Sequence, residues 1–196
     1  MVELMAALGI LSLGITALLQ TLGGGIRYAN DTENNIKAIN IAREGVEAMI
    51  NIRDTNWLRF SSDRTNCWIV KNYDATCIGD TTPPEIASGA YTVVSLNGAW
   101  YLSGAVNGIN PITNWTTYKQ VFRVGIDSAG FFTQTGVSAT ACSSTIQKNC
   151  LTIFTREVNV TVTPGNMLVQ SIARWNQERP RSVIIETNLT NWKSRF

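Results

Sequence analysis

Residues 1–30 read MVELMAALGILSLGITALLQTLGGGIRYAN, with one carboxylate, Glu3, at the lip of a run that carries no charge from Leu4 to Ile26. As a helix those 23 residues extend about 34 Å, enough for a hydrocarbon core of roughly 30 Å. A cleavable signal peptide has a basic start, a shorter apolar core and a small-residue cleavage site. Here the flank is acidic, the run is long, and no A-x-A site precedes the polar continuation. The segment reads as a spanning helix rather than a signal.

The helical pattern continues beyond it. In RYANDTENNIKAINIAREGVEAMINIRDTNWLRF, Ile39, Ala42, Val46, Met49 and Ile50 fall at helical spacing and form an apolar stripe expected to pack on a sheet. Arg43, Glu44, Glu47 and Arg53 decorate the other faces. The spacing predicts one helix over residues 1–58, apolar all round over 1–25 and one-sided over 26–58. Gly23, Gly24 and Gly25 each cost about 1 kcal/mol against alanine in a helix, so with Gly14 they are the expected weak points of the rod.

Composition narrows the rest. The chain has 196 residues, 15% of them charged, a formal net charge of +2 and no histidine. The length suits one medium domain plus an appendage. Near-neutral charge without a Lys/Arg run argues against a dedicated nucleic-acid site. Without histidine, a conventional hydrolase triad and the commonest metal ligand are both missing. Carboxylates stand singly, and Asp63, Asp74 and Asp80 lack the alternating spacing of a calcium loop. The expectation is no catalytic, cofactor or metal site, and no enzyme activity.

Four cysteines form two close pairs in polar loops, Cys67/Cys77 and Cys142/Cys150. Four cysteines allow three connectivities; the loop context favours local pairing. Spacings of ten and eight residues are too wide for CxxC redox chemistry. Structural disulfides outside the cytoplasm are expected.

The stretch VELMAALGILSLGITALL resembles the N-terminus of type IV pilins and pseudopilins. In that family a leader is removed by a prepilin peptidase, the new N-terminus is methylated, and a glutamate a few residues further in precedes an apolar helix; Glu3 matches it. The resemblance implies that Glu3 pairs with the N-terminal amine of a neighbouring subunit, represented here by Met1, as subunits leave the membrane. Two departures stand out. Only two residues precede Glu3, so a leader and one or two mature residues are expected to be missing from the chain. No proline occurs before Pro83, so the glycines would loosen the helix where the family uses a proline.

Residues 59–90 read as a connecting loop stapled by the first cysteine pair, and 91–196 as an antiparallel β domain. Candidate strands are YTVVSL (91–96), WYLSG (100–104), YKQVFRVGI (118–126), FFTQT (131–135), REVNVTVT (156–163), MLVQSIARW (167–175) and RSVIIETNLTNW (181–192). Asn97-Gly98 signals a hairpin. Arg156 shares the parity of Val158, Val160 and Val162, so a bulge or the end of the buried stretch is expected there. Trp68 and Trp115 fall in loops and are candidates for contacts between subunits or with a surface.

The fold expected is α+β, a pilin-like lollipop. Its helix has a protruding apolar half and a distal half packed on the antiparallel sheet. The function this implies is a structural subunit of a type IV pilus, polymerising through the helix into a surface filament for adhesion, motility or DNA uptake. Its partners would be copies of itself, the cytoplasmic membrane before assembly, the prepilin peptidase and the pilus assembly machinery. A minor pilin or type II secretion pseudopilin is the alternative; a membrane-anchored binding domain that never polymerises is the second.

Overall fold

The computed structural model describes residues 2–80, 82–144, 147–176 and 179–192. The chain is α+β: a helix α1 of 58 residues (Val2–Arg59) is followed by an antiparallel sheet. Two compact units divide it, Met1–Lys37 and Ala38–Phe196.

In the first unit α1 is uninterrupted through Gly14 and Gly23–Gly25, and an added Cβ would meet nothing at any of these four positions. All four glycines are thus helical, with open space beside each. Hydroxyls in this stretch turn back on the helix itself, as where Thr16 Oγ1 donates to Ser12 O and Thr21 Oγ1 to Ala17 O.

In the second unit the last turns of α1 form one wall of the core. Ala38, Ile41, Ala42, Val46, Ala48, Met49 and Ile52 are buried. Ile39 is 38% exposed and Ile50 half-buried. At about 100° per residue, both lie roughly 100° round from the line Ala38–Ala42–Gly45–Met49–Ile52 that meets the sheet. The stripe is therefore centred one residue earlier than the β-branched residues suggest.

The sheet is built on β6 (Cys150–Thr163), β7 (Asn166–Asn176) and β8 (Pro180–Thr190), three successive antiparallel strands. Thr163 pairs with Asn166 across Pro164-Gly165, and Gly165 has φ 73°, as a turn with proline first and glycine second requires. β6 divides its other edge. Its first half pairs with β4 (Arg123–Ile126), which carries β5 (Phe132–Thr133), and its second half pairs with β1 (Gly89–Tyr91). β2 (Val93–Leu96) and β3 (Ala99–Leu102) form a separate hairpin. Asn97 (φ 52°) and Gly98 (φ 78°) turn it with two successive positive φ values.

One expected strand is largely a helix. YKQVF belongs to α3 (Trp115–Phe122), and only Arg123–Ile126 is strand. Trp115, Tyr118 and Phe122 recur at i, i+3 and i+7, a helical period that the β-branched and aromatic content masks. α3 lies on the sheet face opposite α1. Tyr118 and Phe122 are buried there, and Tyr118 Oη donates to Glu157 Oε2 at 2.5 Å, Glu157 having the opposite parity to Val158 and Val160.

Residues 60–88 are not a bare loop. A short helix α2 (Arg64–Cys67) and two 3₁₀ turns (Lys71–Tyr73, Ala75–Cys77) fill them, and the Cys67–Cys77 disulfide sits in a cluster with Phe60, Val70 and Tyr73. Trp68, a candidate for contacts between subunits or with a surface, is instead 4% exposed and belongs to the main core. The second disulfide joins Cys142 to Cys150.

Asp63 ties the first disulfide loop to its own start. Gly79 N donates to Asp63 Oδ2 (3.0 Å), as does Asn66 Nδ2 (3.0 Å), and Asn66 N donates to Oδ1. The Gly79 amide, aided by Asn66, holds the Asp63 carboxyl below its ordinary value. A lowered folded value means the tie is present above the ordinary aspartate range and lost as pH falls through the folded value. The Gly79 amide shift should therefore titrate at a pH below that of an ordinary aspartate, and Asp63→Ala should flatten the curve. A midpoint at the ordinary value would refute the assignment.

Candidate functional site

Two features are candidates for function, one in each unit. The first is the N-terminal stretch of α1. Its apolar side chains include Val2, Leu4, Leu8, Ile10, Leu13, Leu18, Leu22 and Ile26, each more than half exposed. It is the one helix among the described residues long and apolar enough to cross a membrane, and none of that span is buried within the chain. A surface of this kind far exceeds the few hundred Å² that a soluble monomer leaves uncovered.

Glu3 lies exposed in the first turn of α1. Among the described residues no cation lies within ion-pair distance of it. The first basic residue of the sequence is Arg27, about 36 Å further along the helix. Met1, the other expected assembly residue, lies outside the described residues. What this arrangement can do chemically is limited and specific. It offers an apolar cylinder and one carboxylate, which in a hydrocarbon environment costs several kcal/mol unless it meets a cation or reaches an interface.

The second feature is the seam between α1 and the sheet in the second unit, and sequence reasoning missed most of it. Arg156 stays on the core face of β6 without a bulge, since its neighbours pair with β7 in unbroken register, and it is 0% exposed. The irregularity lies earlier, in the pairing of β6 with β4 between Arg123 and Gly125. Arg156 Nη1 lies 3.1 Å from Glu44 Oε2, Nη2 donates to Val93 O (3.0 Å), and Nε donates to Gln134 Oε1 (3.1 Å). Gln134 in turn donates through Nε2 to Phe122 O and Arg156 O, and accepts from Val93 N. One guanidinium thus joins α1, β6, the β2 hairpin and the segment after β5. Glu44 and Arg156 are 112 positions apart in the sequence, so no local signal could pair them.

Burial pushes the Glu44 carboxyl above its ordinary value, against the pull of Arg156, and pushes the Arg156 guanidinium below its own. Next to this pair the helix backbone lies close on the sheet. A Cβ on Gly45 would lie 2.2 Å from Ser171 Oγ and 3.1 Å from Val158 Cγ2. Ser171 is fully buried, and its hydroxyl has no hydrogen-bond partner among the described residues.

Of the residues expected to pack helix on sheet, Ala42 and Met49 lie in core clusters with sheet residues, Ile50 packs against one, Val46 is buried, and Ile39 is 38% exposed. The four cysteines form two disulfides, and Gly14 and Gly23–Gly25 are helical. Set against family models, curated proteins and solved structures, the chain matches none of them.

Proposed function

We propose that the chain is a structural subunit of a type IV pilus-like filament, anchored by its N-terminal helix in the cytoplasmic membrane and afterwards packed through that helix against other copies. The observation that carries this reading is the uncharged run of residues 4–26 with Glu3 at its start, its large apolar side chains exposed. Such a segment needs lipid, or identical neighbours, or each in turn. The carboxylate favours the last case. Near the headgroups it is tolerable, and among sister helices it selects the one axial offset that brings a cation to it. Repeated contacts of that kind join different patches on successive copies and extend without closing. The long helix joined to an antiparallel sheet is compatible with a pilin, and the two disulfides suit an exported domain.

Glu3→Lys tests the reading. The variant should accumulate in the membrane at the parental level and yield no sheared surface fibres. Glu3→Gln should reduce fibres less severely. Fibres shed at the parental level by Glu3→Lys would refute the proposal and leave a non-polymerising anchored domain as the better reading.

A further inference from the structure

The geometry points to a binding site for a pyranose sugar in the second unit, in a cavity of about 280 Å³ between α3 and the ends of β7 and β8. Pockets for drug-sized ligands run to about 300–1,000 Å³, so this one has room for a single small ring with its substituents. Pro111 and Ile112 form an apolar rim and Trp115 stands on one wall, while the Trp175 ring faces α1 on the other side of the sheet, packed on Phe154. Asn176 and Ser182, on the same face of the sheet as Arg174, bring an amide and a hydroxyl to the same opening. Apolar and aromatic walls for the C–H face of a ring, with hydrogen-bonding groups for its hydroxyls, are what a pyranose requires.

The wall is preorganised. Trp115 stacks on Tyr118 with centroids 6.0 Å apart and planes 20° apart. Tyr118 is fixed through its hydroxyl to Glu157, and Arg174 Nη1 donates to both Glu157 Oε2 and Tyr118 Oη. The same network pushes the Tyr118 phenol above its ordinary value, burial being the main cause, so the tyrosine stays neutral and in place. Arg174, which also lines the cavity, already has its charge answered by Glu157. The site therefore does not depend on an anionic ligand, and neutral and acidic pyranoses are separate arms of the test.

The test uses the full chain dispersed in a detergent without a sugar headgroup, because a glycosidic detergent would occupy the site. Polymerisation is not needed, so a failure here is distinct from a failure of the filament reading. Methyl glycosides of glucose, galactose, N-acetylglucosamine, glucuronate and galacturonate are offered in saturation-transfer NMR. At least one should bind, and be competed off by its own unlabelled form. Trp115→Ala should weaken it about tenfold. Ser182→Trp, placed on an exposed position of β8, should fill the opening and weaken it similarly while leaving the circular dichroism spectrum unchanged. Phe131→Ala, on an exposed ring away from the cavity, should have no effect. Equal binding of neutral and acidic glycosides would place the recognition on the ring face. No competed signal from any glycoside, or binding unaltered by Ser182→Trp, would overturn the assignment.

Discussion

Arg156→Ala should lower the stability of the second unit by about 3–5 kcal/mol, the usual cost of breaking a buried ion pair. For a unit of this size that is a fall in Tm of about 10 °C. The loss has two parts. Three contacts of the guanidinium disappear, to Glu44, Val93 O and Gln134, and Glu44 is left partly buried without its counter-charge. The second part has a pH signature. Burial already holds the Glu44 carboxyl above its ordinary value, so its ionisation opposes folding. Its contribution is fullest below the ordinary carboxylate range and falls away as pH rises through the folded value. Without Arg156 that value rises further, and the stability difference between pH 4 and pH 7 should widen. Urea titrations at both values check this. Adding Glu44→Leu to Arg156→Met should recover most of the loss, because an apolar pair of similar volume avoids the desolvation of both charges. If the double variant is no better than Arg156→Met alone, the guanidinium matters chiefly for its contacts to Val93 and Gln134.

The second large effect is expected at Gly45. Alanine there gains roughly 1 kcal/mol of helix propensity, yet its Cβ would stand 2.2 Å from Ser171 Oγ, so α1 or the serine must move. Valine would add two methyl groups to the same contact and should cost about 3 kcal/mol, at the upper end of overpacking penalties. Ser171→Gly should relieve most of the cost of Gly45→Ala, and the pair should be strongly non-additive in a double-mutant cycle. Additive effects would mean that the contact is not the source of the penalty. The comparison with Gly23–Gly25 is instructive. There an added Cβ meets nothing, so alanine should only strengthen the isolated helix.

The helix, the disulfide loops and the strands from Arg156 onward were legible because each rests on local pattern. Leu4–Ile26 is apolar without interruption, Val158, Val160 and Val162 alternate, and Asn97-Gly98 and Pro164-Gly165 are turn residues at turn positions. What was not legible depends on pairing between distant segments. Gly45 reads as a flaw in a helix until Ser171 is placed beneath it. Arg156 reads as the edge of a buried stretch until Glu44 and Gln134 surround it. The span Trp115–Phe122 carries signals for both strand and helix. Its aromatic side chains find their partners only on the outer face of the sheet, where Tyr118 and Phe122 cluster with Ala90. The first candidate site was thus visible in the sequence, while the cavity beside Trp115 was not. Its lining comes from residues 111, 112 and 115 and from 174–176 and 180–182, which only the fold brings together.

The placement of β6, β7 and β8 at the end of the chain has a consequence for the order of synthesis. The face of α1 from Ala38 to Ile52 is buried mainly against residues numbered above 120. A ribosome adds about 5–20 residues per second, so that face is made several seconds before its cover exists. During this interval the newly made helix has one apolar half with no partner in the chain and another whose partner is still unwritten. A nascent chain is therefore at its most aggregation-prone midway through translation, and prompt delivery of its first residues to a lipid surface would remove half of the hazard before the sheet removes the rest.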